Sequence, residues 1–171
     1  MTRVIRRATI VAAALMLASV ATVAAKEGPV TEPSPTGTIE FEAGAPCAFA
    51  VRVEPVIDEV MVTTWPERPN GDVYQIYSGR LIGLATNLAT GETLRFDNSG
   101  ALHAVFHADG SFEVRYAAPS LMWNFAEEPG RDGLWILKRG SASEMYDADG
   151  NLTAQRLPGR GALTDLCARL A

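Results

Sequence analysis

The chain is poor in histidine, cysteine and lysine, and each shortage narrows what it can do. Two histidines and two cysteines leave few side chains for soft-metal ligation or for His-based acid–base work. Lys26 and Lys138 are the only lysines, and the remaining bases are arginine. There is no Gly-x-Ser-x-Gly elbow, no Ser-x-x-Lys, no glycine-rich phosphate loop and no His-Glu-x-x-His, which removes the common signatures of serine nucleophiles, nucleotide cradles and zinc proteases. The one extended apolar run is at the very start.

That run belongs to a leader. Residues Met1 to Ala25 open with Arg3, Arg6 and Arg7, continue through an uncharged stretch from Ala8 to Val20, and end in Val23-Ala24-Ala25 before Lys26. This is the grammar of a secretory signal peptide cut after Ala25, and the apolar stretch is shorter than the roughly 20 residues a spanning helix needs. A secreted, extracellular chain with no membrane attachment after cleavage is expected. Without the leader's three arginines, twelve bases face twenty acids, a net charge of −8 with histidine neutral. Such a surface repels nucleic-acid phosphates and anionic lipid, so neither is an expected partner.

Residues 26–38 (KEGPVTEPSPTGT) hold three prolines, two glycines and almost no apolar side chain, the composition of a flexible tether. From 39 to 171 a single β domain is expected. Turn clusters recur at Arg68-Pro69-Asn70-Gly71-Asp72, Ala89-Thr90-Gly91-Glu92, Asn98-Ser99-Gly100, Ala108-Asp109-Gly110-Ser111, residues 128–133 and Asp147-Ala148-Asp149-Gly150-Asn151. Short Val/Ile/Phe/Tyr/Leu/Thr segments lie between them, several alternating with period two. The fold class that follows is all-β: an antiparallel meander of about eight to ten strands closing into a barrel or sandwich, with a short C-terminal helix. For that helix, Leu163, Leu166, Cys167 and Leu170 fall at i, i+3, i+4 and i+7, with Thr164 or Asp165 as cap.

The middle of the chain permits a register. A three-residue loop Ala108-Asp109-Gly110, with Gly110 left-handed, pairs Phe106 with Phe112, Ala104 with Val114 and Leu102 with Tyr116. The alternative two-residue turn mixes the faces, and a one-residue slip exposes a whole apolar face. The same loop applied to Asn98-Ser99-Gly100 pairs Phe96 with Leu102 and Leu94 with Ala104. An aromatic residue four before glycine and a large apolar one two after it also occur at Tyr146/Gly150/Leu152.

That last copy, Tyr146 to Leu152 (YDADGNL), resembles the hairpin of YD (RHS-type) repeat proteins, but those need many copies, so the resemblance implies a hairpin and no function. The segments 79–100 (GRLIGLATNLATGETLRFDNSG) and 163–171 (LTDLCARLA) are similar to small secreted actinobacterial proteins of unknown function. That resemblance implies the extent of a cysteine-framed β domain, not its chemistry.

The register also defines an opposite face. On it Arg95, His103 and Arg115 become cross-strand neighbours on three adjacent strands, with Thr93, Val105 and Glu113 in the next row and His107 at the rim. Guanidinium groups there offer a fork to a carboxylate or phosphate. A His/Arg/Glu set on a sheet face is also what a secreted hydrolase or nuclease-like enzyme uses, so His103, Glu113, Arg95 and Arg115 are the catalytic candidates if there are any. A solvated outer face is the simpler account. No metal or other cofactor is expected. His103 and His107 lie about 13 Å apart on a strand at roughly 3.3 Å per residue, too far to share zinc, and the Asp147 turn lacks the bidentate acid of a calcium loop, since Pro158 stands at that spacing.

Cys47 and Cys167 frame the domain, and two thiols in one small exported domain are expected to pair. The function expected from all this is a secreted non-catalytic interaction or binding module, with a protein or a small apolar ligand as partner. A pocket inside a barrel would favour a small ligand, a filled core with an exposed apolar patch a protein partner, and a concave site holding His103 the enzyme.

Overall fold

The structure, a computed structural model, describes residues 28–44, 46–124 and 133–171. The expected leader, and most of the turn cluster at 128–133, lie outside the described residues. Within them the chain forms β1 (Val30–Pro33), β2 (Ile39–Phe41), β3 (Val51–Asp58), β4 (Met61–Thr64), β5 (Val73–Ser78), β6 (Leu81–Asn87), β7 (Thr93–Asp97), β8 (Leu102–Phe106), β9 (Phe112–Ala117), β10 (Ser120–Asn124), β11 (Gly133–Leu137), β12 (Ser141–Tyr146), β13 (Leu152–Arg156), β14 (Leu163–Asp165) and α1 (Leu166–Leu170). The strands make a seven-stranded sheet in the order β1-β4-β5-β8-β9-β12-β13, a four-stranded sheet β2-β3-β6-β7 and a three-stranded sheet β10-β11-β14. The fold is all-β, antiparallel and sandwich-like, and among the described residues none of the sheets closes into a barrel.

Three pairs of these strands are single long strands bent between two sheets. Asp58 is opposite Leu81 and Met61 opposite Ser78, so the ribbon of β3–β4 with β6–β5 passes from the four-stranded to the seven-stranded sheet in constant register. The same holds for β6–β5 against β7–β8, where Ile82 faces Asp97 and Tyr77 faces Leu102. Strands that switch sheets by bending form the corners of a folded-over β structure. Glycine permits the bend at Gly79, whose φ is +145° and where a Cβ would overlap the Glu59 carbonyl. These bends, with β1 and β14, explain why the described residues form fourteen strands where about eight to ten are expected.

The expected hairpin at Asn98-Ser99-Gly100 is therefore a bend. β7 pairs with β6 and β8 with β5, so Phe96 does not face Leu102, nor Leu94 Ala104. Side chains replace the interrupted ladder: the Ser99 hydroxyl donates to the Leu81 carbonyl at 3.2 Å and accepts from the Leu81 amide at 3.0 Å. Asn98 Oδ1 accepts from the amide of Leu121 at 2.6 Å. Gly100 is not left-handed. It is small because a Cβ there would overlap the carbonyl oxygens of Ala117 and Pro119. The division into faces survives, since a strand that runs straight through the bend keeps Leu94, Phe96, Leu102 and Ala104 on one side.

The β8–β9 hairpin has the expected register, Phe106 opposite Phe112, Ala104 opposite Val114 and Leu102 opposite Tyr116. Gly110 has φ +87° and donates to the His107 carbonyl at 3.0 Å. The loop joining β12 to β13 repeats this closure at Asp147 and Gly150, and Asp147 Oδ1 accepts from the amides of Asp149 and Asn151. Val30–Pro33, inside the stretch expected as a tether, is β1 on the edge of the seven-stranded sheet, with the Thr31 and Thr63 hydroxyls 2.9 Å apart.

The three-stranded sheet is buried on both sides. Leu121 and Leu134 pack with Phe41, Val51, Val53, Ala85 and Phe96 of the four-stranded sheet and with Leu166 and Leu170 of α1. On the other side Met122 and Leu137 pack with Ala142 of β12 and, around them, with Tyr116 of β9 and Leu163 of β14. α1 is shorter than the leucine spacing implies, because Leu163 is in β14, and Asp165 caps it by accepting from the Ala168 amide at 3.0 Å. Cys47 and Cys167 form the expected disulfide across 120 residues, tying α1 to the loop between β2 and β3. No helix among the described residues is long and apolar enough to cross a membrane.

Candidate functional site

The outer face of the seven-stranded sheet holds the site. In β8 and β9 the period-two alternation puts His103 and Val105 on that face opposite Arg115 and Glu113. The strand on the other side of β8 is β5, so Ile76 lies beside His103 and Tyr74 beside Val105. Tyr74, His103, Val105, Glu113 and Arg115 line an open recess of about 320 Å³, at the small end for a single ligand.

Of the four candidate residues, three meet here and one does not. Arg95 is on β7 in the four-stranded sheet, opposite Leu84. The expectation that it neighbours His103 fails because the two share one bent strand: eight residues at roughly 3.3 Å each separate them by about 26 Å along the chain. Thr93 leaves the cluster for the same reason and faces Thr86. Tyr74 takes the place expected for β7. The only signal for it was the Asn70-Gly71 turn ahead of the alternating Val73-Tyr74-Gln75-Ile76-Tyr77, which marks a strand but not its neighbour.

The side chains are held unequally. The Tyr74 hydroxyl is 2.5 Å from His103 Nδ1, and Tyr74 is backed by Trp65, ring centroids 5.0 Å apart, with the Arg68 guanidinium 5.8 Å from its ring centroid. One wall is thus fixed by aromatic packing and a cation–π contact. Across the recess Arg115 is loose: its side chain is 66% exposed, and its one ion pair among the described residues is with Glu113 at 3.9 Å. Glu113 stands opposite Val105, not His103. An acid–base couple needs hydrogen-bond reach or one bridging water, and the contacts of His103 and Glu113 run to Tyr74 and Arg115 instead. His107 belongs to the rim, with Nδ1 3.1 Å from Asp72 Oδ1. The Asn70 amide and then His107 lower the Asp72 carboxyl below its ordinary value. Among the described residues no three His, Cys, Asp or Glu side chains gather as a metal site.

A second polar group lies on the opposite, inner face. Glu144 is buried at 4% exposure. Its Oε2 accepts from the Tyr116 and Tyr146 hydroxyls at 2.9 and 2.8 Å, and its Oε1 from the Gln155 amide at 2.8 Å. Burial, followed by the charge of Glu144, raises both tyrosines above the ordinary value. Three neutral donors satisfy this carboxylate as a buried polar network requires. Nothing in the sequence distinguishes Glu144 from the exposed acids.

Among the described residues the exposed large apolar side chains do not form a patch. Val56, Leu88, Trp123, Met145 and Leu152 sit on separate elements. The two on adjacent strands point to opposite sides, Met145 with Glu113 on the outer face and Leu152 opposite Tyr146 on the inner one. Compared with known proteins, the chain matches no family model, no curated protein and no solved structure.

Proposed function

We propose that this chain is an exported, non-catalytic binding module whose ligand is a small charged molecule seated in the recess around His103 and Arg115. The observation that carries the reading is the pairing of one rigid wall, Tyr74 locked to His103, with one half-satisfied guanidinium facing it. The Tyr74 wall is already ordered and costs little on binding, while the weakly paired guanidinium keeps capacity for a new partner. The Cys47–Cys167 bond fits an oxidising compartment and supports export after cleavage of the leader. A ligand held inside a barrel loses support because the sheets stay open, and a broad protein interface because the exposed apolar side chains are dispersed. The hydrolase or nuclease-like alternative loses Arg95 and any direct His103–Glu113 couple.

The test is an NMR titration of the mature protein with inorganic phosphate at low ionic strength, following both imidazoles. A saturable shift of His103, with His107 unmoved, is the expected result. No response from His103 up to tens of millimolar phosphate would rule out a plain anion as the ligand, and no response to a zwitterion such as glycine as well would remove the recess as a site.

A further inference from the structure

The recess carries charges of both signs on one face of one strand. Glu113 and Arg115 are two residues apart on β9, side by side and 3.9 Å from each other. A plain anion approaching Arg115 must come close to the Glu113 carboxylate, and a plain cation approaching Glu113 must come close to the guanidinium. Like charges at such separations repel even where the recess is open to water. A molecule with an ammonium and a carboxylate on one carbon avoids the conflict. Laid antiparallel to the Glu113–Arg115 pair, it places each of its charges beside the opposite charge of the protein. The guanidinium fork suits the carboxylate in particular. Beyond the charges, Val105 and the Tyr74 ring offer apolar surface, and Met145, 48% exposed and opposite Glu113 on β12, extends it at the rim.

From this geometry we infer that the ligand class of the recess is the zwitterionic α-amino acid, with Glu113 taking the ammonium, Arg115 the carboxylate, and Tyr74, Val105 and Met145 an apolar side chain. The inference rests on the recess being the binding site. It differs from that reading by requiring Glu113 as a positive contributor, where an anion site would be better without it.

The experiment compares three probes of one shape on the mature protein by NMR titration: L-leucine, 4-methylpentanoate, which lacks the ammonium, and 3-methylbutylamine, which lacks the carboxylate. Leucine is expected to shift His103 and to bind at least tenfold more tightly than either of the others. Glu113→Gln should bring leucine down to the affinity of 4-methylpentanoate while phosphate binds more tightly than before. Arg115→Gln should weaken leucine and phosphate alike. Equal affinity for leucine and 4-methylpentanoate in the unaltered protein would overturn the zwitterion assignment and leave the recess standing as an anion site. Silence of His103 toward all three probes and toward phosphate would overturn both. Because the decisive comparison uses the unaltered chain, it holds even if a variant folds poorly.

Discussion

The side-chain amide of Asn87 donates to the carbonyl of Leu170 at 2.9 Å, joining the end of β6 to the last residue of α1 across 83 positions. Asn87 is 2% exposed, and its Oδ1 also accepts from the Ala89 amide at 2.9 Å. One side chain thus satisfies a helix-end carbonyl and starts the turn after β6, two groups that would otherwise be stranded.

Asn87→Ala is accordingly expected to destabilise the domain by about 2 to 3 kcal/mol, the cost of leaving buried partners unmet. Urea unfolding followed by tryptophan fluorescence measures it. A loss under about 0.5 kcal/mol would mean that water replaces the amide at both places.

The disulfide acts at the same corner of the fold by another route. Closing 120 residues restricts the unfolded chain, and on the loop-entropy account the bond contributes about 4 to 5 kcal/mol. The Cys47→Ala/Cys167→Ala double variant should lose a large part of this, with the NMR response of His103 unaltered wherever the variant remains folded. Both denaturation midpoints and phosphate titrations check the point, since the recess is on a different sheet from the bond.

Gly100 and Gly83 separate two kinds of steric demand. At Gly100 an added Cβ meets the backbone carbonyls of Ala117 and Pro119, and at Gly83 it meets the ring of Phe96. Backbone cannot swing away as a side chain can, so Gly100→Ala should cost about 3 kcal/mol and Gly83→Ala about 1 to 2. Gly37, with nothing within 4 Å of an added Cβ, provides the neutral comparison. Equal melting temperatures for the Gly100 and Gly37 variants would refute the tight corner.

These corners also mark where sequence reasoning stopped. The β8–β9 register was legible because it is decided locally: Asp109-Gly110 sets the loop, and a slip would turn Ala104 and Val114 outward. Asp97-Asn98-Ser99-Gly100 has the same turn chemistry, yet it serves a bend, because Ser99 and Asn98 bond Leu81 and Leu121, residues distant in sequence. From that one ambiguity follow the misplacement of Arg95 and the omission of Tyr74. β1 was hidden for a different reason. An edge strand of four residues is held by backbone bonds to β4 and the Thr31–Thr63 contact, and composition carries no trace of such pairing. The cysteine bond was legible, and the helix cap to within Thr164 or Asp165, because each depends on residue type at a spacing. The burial of Glu144 depends on what covers it.

The Glu144 network gives the protein an alkaline limit. Tyr116 and Tyr146 have folded values raised by burial and by the Glu144 charge, while in the unfolded chain both ionise near the ordinary value of about 10. The folded state therefore holds protons that the unfolded state releases as pH rises. Their contribution is complete below about pH 10 and is lost progressively above it, toward the raised folded values. Tyr116 should contribute a fall of up to about 1.4 kcal/mol per pH unit in that window, and Tyr146, which is more open to water, a smaller one. Tyr116→Phe removes the titrating group and should flatten the decline. Glu144→Gln removes the charge but not the burial and should flatten it only in part. Urea midpoints at pH 8, 10 and 11 for the three proteins measure both effects, and parallel declines in all three would show that the network does not set the alkaline limit.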